Sequence, residues 1–509
     1  MPPEVTEQAI VDTLNRVFSI RQDQPVTEQL TFFDTFDWRL FTKSLLLYQS
    51  GHALVLRQLP HGDILGRQPF EAVPKFGWDL PPGVLKDRLL PLIEMRALLE
   101  LNQATLTQTT YRILNNDEKT VVRFACESLL PTEPADNPPP LRRLHIKPVR
   151  GYTNPRKKLT QQLEAVGLEP IPNDFWSQAL ESGERVPGDD PTTLKVTLTP
   201  HMRADEATRI ILRSAVRVMK LNEAGIKEDI DTEFLHDFRV AVRRTRSVLS
   251  QMKGVFPLET TRRFRREFAA IGKTSNDLRD LDVYLLAEEY FKAMLPEAVC
   301  GDIDPLFDYM RHIRIAARKK VVDLLNSAEY AATIQAWEKF LTEATPDSAG
   351  AGNAARPIKI LAQQKIYKKY RRIIKWGSRI LENTDDEQLH ALRLECKKLR
   401  YLMDFFQSLF PAPKIERLIK QVKKLQNNLG DFNDLYVQEE YLLYISRQLP
   451  LSGSEARKVF MAVGCLVGTI QQERSRVKAR FAQTFADFAT PKNQKLFKKL
   501  FVTKKAGAS

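Results

Sequence analysis

The stretch His236-Asp-Phe-Arg239-Val-Ala-Val-Arg243-Arg244-Thr-Arg246 decides the fold, and a near copy of it begins at His390. The copy reads His390-Ala-Leu-Arg393-Leu-Glu-Cys-Lys397-Lys398-Leu-Arg400. In each copy the histidine and the cations recur every three or four positions, so on a helix they share one face. A mostly apolar stripe lies one position earlier and predicts a face turned to a core. The stripes are Leu235, Phe238, Val242, Thr245 and Leu249, and Leu389, Leu392, Cys396, Leu399 and Met403.

Like charges at this spacing repel one another and destabilise an isolated helix. Four or five cations in line, present twice, therefore indicate a polyanionic ligand that lies along the rim of a cleft. The alternative is an ordinary solvated face of lysines and arginines. One copy leaves the two interpretations balanced, and the second copy favours the ligand.

Length and composition bound the class of protein. A chain of 509 residues predicts about three or four units, and 43% hydrophobic residues suffice for packed cores. We expect no membrane span, because no run approaches ~20 apolar residues, and no secretory signal at the N-terminus. The four cysteines are far apart and form no Cys-x-x-Cys, which indicates a reducing, cytoplasmic setting without a structural zinc.

The positive charge is concentrated in the larger, C-terminal part of the chain. Residues 1–195 hold 22 Lys and Arg against 25 Asp and Glu, and residues 196–509 hold the other 55 against 38. Because the excess lies in the part that carries the repeated helix, it points to an anionic partner for that part.

The repeat extends well beyond the two motifs. His390 follows His236 by 154 positions, and the same offset relates Phe256-Pro257 to Phe410-Pro411 and Asp280-Leu281 to Asp434-Leu435. Helices are predicted near 201–225, 231–254, 258–291, 303–342, 357–382, 386–409, 412–448 and 453–488. The linker Ala344–Pro357 divides them into two four-helix units. We expect these to pack about a pseudo-twofold axis, with their basic rows facing each other or lining one groove.

Neighbouring helices add further cations at helical spacing. They are Arg213, Arg217 and Lys220 before the first motif, Lys368, Arg371, Arg372 and Lys375 before the second, Arg263, Arg266 and Lys273 after the first, and Arg417, Lys420 and Lys424 after the second. Two roles are open for Asp280 and Asp434: orienting an arginine or histidine, which we favour, or holding a metal.

Residues 1–190 predict a β-rich domain with added helices. A helix is expected over 1–18, a hairpin from Ser44–Gln49 and Ala53–Leu59, and a helix over Leu159–Val166. Further strands are expected at Arg96–Gln103, Thr105–Leu114, Lys119–Glu127 and Arg142–Pro148. Arg57, Arg112, Arg123 and Lys147 alternate with apolar neighbours and could line one face of a curved sheet, although a normal polar face is the favoured reading. A proline-rich loop follows at Pro131–Pro140, and a turn-rich linker at Glu184–Pro191.

The two motifs, with the later Arg279-Asp280-Leu281-Asp282 and Asn433-Asp434-Leu435, make residues ~201–488 resemble the CHAD domain, a helical fold named for its histidines. The resemblance implies an all-α domain of two pseudosymmetric four-helix bundles that binds inorganic polyphosphate, with no established catalytic activity. It also implies that His236, Arg239, Arg243, Arg244, Arg246, His390, Arg393, Lys397, Lys398 and Arg400 contact phosphates.

The N-terminal part resembles, more weakly, the CYTH or triphosphate-tunnel fold. The similar pieces are Phe33–Leu40, the hairpin ending in Leu56-Arg57, and the strand around Ile146-Lys147. The chain departs from that family because it has no Glu-x-Glu-x-Lys strand and reads Leu144-His145-Ile146-Lys147 where acids are expected. Paired carboxylates are needed to hold Mg²⁺ beside a triphosphate, so we expect a degenerate fold with little or no hydrolase activity.

The sequence thus predicts an α+β multidomain protein: a β-rich domain at 1–190, helical bundles at 198–343 and 357–490, and a basic tail at 491–509. The predicted function is non-catalytic polyphosphate binding. No cofactor, metal or catalytic residue is expected, and polyphosphate granules and polyphosphate-metabolising proteins are candidate locations and partners. A CYTH-type triphosphatase is the alternative, followed by a nucleic-acid binder, which the lack of interleaved aromatics disfavours. The predicted phosphate contacts are the ten motif residues together with Arg213, Arg217, Arg266, Lys273, Arg371, Arg372, Lys420 and Lys424.

Overall fold

The computed structural model describes residues 5–60, 62–132, 139–168, 175–181, 185–190, 192, 196–343, 351–382 and 385–502. The chain divides into two compact units, Met1–Thr192 and Thr193–Ser509. The predicted segments Pro131–Pro140, Glu184–Pro191, Ala344–Pro357 and 491–509 fall partly outside the described residues. Among those residues, no helix has the length and apolar character that crossing a membrane requires.

The N-terminal unit is built on a curled antiparallel sheet. Its described strands are β1 (Ser19–Gln22), β2 (Val26–Asp34), β3 (Leu45–Ser50), β4 (Ala53–Gln58), β5 (Asp63–Pro69), β6 (Leu99–Leu114), β7 (Thr120–Pro131) and β8 (Leu141–Pro148). The strand order is β5-β4-β3-β2-β6-β7-β8, and β1 pairs with β6. The sheet forms a half-barrel, which is consistent with a tunnel-like domain.

Helices cover both faces of this sheet. They are α1 (Glu7–Asn15), α2 (Val84–Ile93), α3 (Thr153–Ala165) and α4 (Phe175–Glu181). Helices α1 and α3 pack on one cluster of strand side chains, α2 on a second and α4 on a third. Because side chains alternate between the two faces of a strand, the three clusters cover both sides of the sheet.

Parts of the N-terminal prediction were wrong or incomplete. The hairpin of β3 and β4 is confirmed, but the two strands expected on either side of Ala104 are one strand, β6. Ala104 is buried and continues the alternation, and no turn residue interrupts it. Strands β1, β2 and β5 and helices α2 and α4 were not predicted as such. Strand β1 has only four residues, and β5 contains a glycine and ends in proline, so neither has a clear apolar alternation.

Three of the four cations predicted to share a face of this sheet are in register. Arg112 pairs with Arg123, and Arg123 pairs with Lys147 on the next strand. Arg112 forms an ion pair with Asp23. Arg57 donates to the hydroxyl of Tyr48 at 2.8 Å. The contacts of Arg57 and Arg112 are those of a satisfied polar face.

The C-terminal unit is all helical. Its α-helices are α5 (Ala204–Glu228), α6 (Thr232–Gln251), α7 (Leu258–Thr274), α8 (Asn276–Leu286), α9 (Glu288–Ala293), α10 (Asp304–Leu325), α11 (Ala328–Thr342), α12 (Ile358–Glu382), α13 (Asp386–Phe406), α14 (Ala412–Ser446), α15 (Gly453–Ala479), α16 (Phe481–Phe488) and α17 (Pro491–Phe501). The fold class predicted from the sequence, a β-rich region followed by helices, is confirmed.

Helix boundaries repeat with the offset seen in the sequence. Helices α5 and α12 begin and end 154 positions apart, α6 and α13 begin 154 positions apart, and α10 and α15 end 154 positions apart. Predicted helices near 258–291, 303–342 and 453–488 are each divided. The first is interrupted at Ser275, whereas its counterpart α14 is continuous.

Two hydrogen bonds show that the repeats are related by a pseudo-twofold axis. The Ala204 amide donates to the Arg356 carbonyl at 2.9 Å, and the Ile358 amide donates to the Met202 carbonyl at 2.9 Å. Donor and acceptor of one bond correspond to donor and acceptor of the other after a shift of 154 positions. The two repeats, predicted as domains 198–343 and 357–490, therefore meet where α5 and α12 begin.

The predicted basic tail differs from the structure over its first part. Residues Pro491–Phe501 form α17, and the Phe497 ring stacks on Tyr370 of α12 with centroids 3.8 Å apart. The apolar residues Phe497, Leu500 and Phe501 recur at helical spacing and are buried, which explains why this lysine-rich segment packs against the unit.

Candidate anion-binding site

The two motif helices turn their apolar stripes inward. Every residue of the two predicted stripes is buried, from Leu235 to Leu249 on α6 and from Leu389 to Met403 on α13. Helix α6 begins where the Asp231 carboxylate accepts the amides of Glu233 and Phe234. Burial of one stripe fixes the rotation of each helix, so the basic stripe lies about 100° away around it.

Motif cations from the two repeats approach one another across the pseudo-twofold axis. Burial and the nearby charges of Arg393, Arg243 and Arg400 lower the pKa of Lys397 to about 8, against the opposing effect of Asp434. Arg243 and Lys397 are 154 positions apart and therefore equivalent in the repeat. We call Arg243, Arg393, Lys397 and Arg400 the central cluster.

Arg244, which directly follows Arg243 in α6, lies against α13. Burial lowers the pKa of Arg244, while Asp404 and Tyr401 of α13 act in the opposite direction. Asp404 also pairs with Arg400 at 3.4 Å. Arg244 therefore belongs to the packing between the two motif helices.

The first arginine of each motif is anchored to a following helix. Arg239 donates to the Gly272 carbonyl at 3.1 Å, to the Ser275 hydroxyl at 2.7 Å and to Asn276 Oδ1 at 2.9 Å. Burial, and next Arg243, lower the pKa of Arg239 to about 10. Arg393 donates to Asp434 Oδ1 at 2.9 Å.

The two acids predicted to orient basic residues lie beside these arginines. Asp434 pairs with Arg393, and burial raises the pKa of Asp280 against the opposing effect of Arg239. No group of three or more His, Cys, Asp or Glu side chains in the described part of the chain is arranged to hold a metal ion.

The motif histidines are partly or largely exposed. His390 Nδ1 lies 2.6 Å from Asn433 Oδ1 and donates to this amide oxygen in the tautomer that is protonated at Nδ1. His236 lies on the corresponding turn of α6 and is half-buried. Asn433 was named in the sequence only as part of a motif fragment, and its contact with His390 gives it a positioning role.

Several predicted phosphate ligands make other contacts. Lys398 and Arg372 approach the buried carboxylate of Glu395 at 2.9 Å and 3.7 Å. Arg213 donates twice to the Leu341 carbonyl at the end of α11, and Lys424 pairs with Asp487 at 2.6 Å. These residues stay predicted ligands, but a polyanion would have to compete with their present partners.

Glu395 contacts two basic residues of the site, a contact that the sequence did not predict. Its carboxylate accepts hydrogen bonds from Lys369 at 2.7 Å and from Lys398 at 2.9 Å. Burial raises the pKa of this carboxyl, the two lysines lower it, and the net shift is downward. The indication in the sequence is that Glu395 is an acid among the basic residues of the second motif, directly before Cys396, which is buried.

The remaining predicted ligands are exposed cations on five helices. They are Arg217 on α5, Arg246 on α6, Arg266 and Lys273 on α7, Arg371 on α12 and Lys420 on α14. Arg246 lies near Gly272 and so borders the anchor of Arg239. Arg217 instead lines a groove of about 460 Å³ between α5 and α11, together with Arg213 and Lys220. The structure thus brings the cations of the central cluster close together, whereas Arg213 and Arg217 lie on another surface of the unit.

Comparisons with known proteins place this geometry in a family. Residues 210–443 match the CHAD domain family. The helical unit contains a CHAD domain over these residues. This family is associated with polyphosphate binding, and its members are not known as catalysts.

The relatives found are distant from this CHAD-containing chain. Two proteins described only as uncharacterized, from two strains of Mycobacterium tuberculosis, are 24% identical over 249 residues, which cover 48% of this chain and 46% of each relative. The match thus spans about half of the length of these curated relatives.

Two solved structures resemble the helical unit. The CHAD domain from the plant Ricinus communis is 24% identical and covers 57% of this chain and 94% of its own, with a TM-score of 0.48. PptA from Streptomyces chartreusis is 14% identical and covers 56% of this chain and 99% of its own, with a TM-score of 0.41.

Proposed function

We propose that the CHAD domain of this protein binds inorganic polyphosphate without catalysing its turnover. The observation that carries the proposal is the convergence of motif cations from both repeats on Lys397, whose pKa is lowered first by burial and then by the charges of Arg393 and Arg243. A phosphate chain would supply negative charge to these cations, since it carries about one negative charge per phosphate unit. It has no bases that would need an aromatic surface for stacking.

The residue types of the central cluster suit phosphate oxygens. Arginine forks bind them in a bidentate fashion, and lysine acts as a point charge. Arg393 is already oriented by Asp434 at 2.9 Å, an exposed carboxylate that phosphate can displace. The flanking exposed residues Arg246, Arg266 and Lys273 extend the row of cations along α6 and α7, so a chain rather than a single phosphate fits best.

The decisive experiment measures binding of labelled long-chain polyphosphate to the full chain by fluorescence anisotropy. Charge-assisted hydrogen bonds contribute about 1.5–3 kcal/mol each, so the double variant Arg243→Glu/Lys397→Glu should lose affinity by about 100-fold or more. Affinity of the unaltered protein should fall steeply with salt, as counterion release requires.

The matched control is Lys319→Glu/Lys320→Glu, which makes the same change of charge on α10, a helix without predicted ligands. It should lose only the small part of the affinity that depends on net charge. Helical circular dichroism should be unchanged in both variants. Equal losses in the two variants would move the site away from the central cluster.

Competition separates this proposal from a nucleic-acid-binding function. Unlabelled polyphosphate should displace the labelled chain at lower charge concentration than single-stranded DNA or RNA, because the central cluster offers no aromatic platform for bases. A nucleic acid that competes better than polyphosphate at equal charge would overturn the proposal.

A triphosphatase assay tests the alternative activity. We expect no release of phosphate from tripolyphosphate or nucleoside triphosphates that depends on Mg²⁺ or Mn²⁺. In a cell that stores polyphosphate, the labelled protein should collect on polyphosphate granules, and the Arg243→Glu/Lys397→Glu variant should not.

A further inference from the structure

The helical unit carries a row of aromatic rings whose two ends are exposed and which polyphosphate binding does not use. Five rings form a line across the repeat axis, Tyr290–Phe291–Tyr284–Tyr441–Tyr444. Successive ring centroids are 5.8, 5.9, 4.3 and 6.4 Å apart. The first three rings belong to the first repeat and the last two to the second. We call these five residues the aromatic line.

The ends of the aromatic line are open to solvent in both repeats. Tyr290 is 56% exposed and Tyr444 is 59% exposed, and the two are 154 positions apart. Val283 and Val437 have the same offset and are 40% and 49% exposed. Repeat-equivalent positions thus present the same apolar side chains on both sides of the axis. A set of exposed aromatic and aliphatic side chains of this kind is typical of a docking surface.

The surface around the aromatic line is acidic, although the unit as a whole is basic. Residues 276–293 and 431–446 together carry nine acids and two cations. Asp282, Glu288 and Glu439 pair with Arg314, Arg311 and Arg474 of neighbouring helices, whereas Asp277 and Asp431 are exposed. Asp280 and Asp434 lie close to Tyr284, and Asp280 and Asp277 lie close to Tyr441. Glu289 and Glu440 are exposed on the same helices. The patch therefore repels polyanions and attracts cationic groups.

We infer that the aromatic line and its acidic surroundings dock a basic, amphipathic segment of a partner protein. Tyrosine rings bind aliphatic side chains by burial and bind lysine and arginine through their faces, while the carboxylates pair with the same cations. Charge complementarity excludes the other obvious occupant: two copies of this chain joined through this patch would bring acid against acid.

The inference does not depend on the proposed binding of polyphosphate. It rests on the exposure, ring distances and charges of α8, α9 and α14. The two surfaces are nevertheless neighbours, because Asp434 pairs with Arg393 of the central cluster. A basic partner and a polyanion can therefore be bound at the same time on adjacent, oppositely charged surfaces.

The test uses the full chain and a fluorescein-labelled helical peptide of lysine and leucine as the probe, in the absence of polyphosphate. Anisotropy should show binding that weakens with salt. The double variant Tyr290→Ser/Tyr444→Ser should weaken it by about tenfold or more, as expected for aromatic anchors of an interface. Glu289→Gln/Glu440→Gln should weaken it less and reduce its dependence on salt.

Matched controls distinguish binding at the aromatic line from nonspecific binding to exposed apolar side chains. Leu258→Ser/Leu381→Ser removes two other exposed apolar side chains of the same unit and should leave the affinity unchanged. A peptide of lysine and serine, which lacks the apolar face, should bind more weakly than the lysine and leucine peptide.

Three results would overturn the inference. One is equal affinity of the unaltered protein and the Tyr290→Ser/Tyr444→Ser variant. Another is equal binding of a glutamate and leucine peptide. The third is a dimer in sedimentation velocity that the tyrosine substitutions dissociate, because the patch would then belong to a second copy. A failure of polyphosphate binding alone would leave these readouts unaffected.

Discussion

The two copies of the basic motif share one spacing but anchor their first arginine in different ways. Arg239 makes three hydrogen bonds at the point where α7 ends and α8 begins, through Gly272, Ser275 and Asn276. Arg393, its counterpart, donates to the single carboxylate of Asp434 on the continuous helix α14, and that carboxylate is 62% exposed.

This difference shows that the two copies of the repeat can keep the same charges and use them for different purposes. In the first copy the guanidinium lies where two helices join, and its partners are one backbone carbonyl and two short polar side chains. In the second copy the partner is an exposed carboxylate, and a polyanion can take its place. We therefore expect the first copy to contribute more to stability and the second more to binding.

The largest expected effect is on stability. Arg239→Ala removes three hydrogen bonds where α7 and α8 join, which should cost about 2–3 kcal/mol in the free energy of unfolding of the helical unit. Arg393→Ala should cost less than about 1 kcal/mol, because the carboxylate it frees is exposed to water.

Urea unfolding followed by helical circular dichroism measures both values. A variant with both substitutions should show nearly additive losses if the two copies act independently. If Arg393→Ala proves as destabilising as Arg239→Ala, the proposed division of roles between the copies is wrong.

The second effect is on affinity and should run in the opposite order. Arg393→Ala should weaken polyphosphate binding about tenfold, which corresponds to the loss of one charge-assisted contact of ~1.4 kcal/mol. Arg239→Lys, chosen because it keeps the charge, should change affinity by less than about threefold despite its loss of stability. Isothermal titration at a temperature where all the variants are folded checks both, and a larger loss for Arg239→Lys would reverse the comparison.

The sequence determines the fold of the helical unit well, and the reason lies in the repeat. The stripes from Leu235 to Leu249 and from Leu389 to Met403 fix both motif helices, and the offset of 154 positions carries over to α5 and α12. Long periodic patterns repeated twice leave little ambiguity.

The anchoring of the site could not be predicted in the same way. The break between α7 and α8 lies at Ser275, whose hydroxyl accepts a hydrogen bond from Arg239 of α6. A periodic pattern in the sequence does not show this contact. Glu395 reads as one acid in a basic row, although its partners come from α12 and α13. The sheet presents a related difficulty, because β1 has only four residues and pairs with the distant strand β6.

The third effect concerns Lys397 and depends on pH. Its folded pKa of about 8 lies below the ordinary value of 10.5, so the unfolded chain binds a proton more tightly than the folded one. The penalty on folding is complete below about pH 8 and disappears as the pH rises towards 10.5. Lys397→Met should therefore raise the free energy of unfolding by about 1 kcal/mol at pH 7, after allowance for screening by solvent.

Unfolding curves of both proteins at pH 7 and pH 9 test the sign. The advantage of Lys397→Met over the unaltered protein should shrink at the higher pH, because the folded lysine has by then lost its charge. Lys320→Met on α10 is the matched control and should show no such dependence. An advantage that grows with pH would contradict the shift.

The smallest effect isolates the helix break of the first copy. Ser275→Ala removes the hydroxyl that accepts from Arg239 at 2.7 Å and should cost about 0.5–1 kcal/mol. Thr274→Ala is the matched control, because the Thr274 hydroxyl bonds back to the Ala270 carbonyl at 3.2 Å and not to the arginine. In the background of Arg239→Ala the cost of Ser275→Ala should fall, because the arginine donor is gone and only the bonds of the hydroxyl to the Ile271 and Gly272 carbonyls are left to lose, whereas the cost of Thr274→Ala should be unchanged. A cost of Ser275→Ala that is the same in both backgrounds would show that the serine breaks the helix without the arginine, and that Arg239 is no more tightly anchored than Arg393.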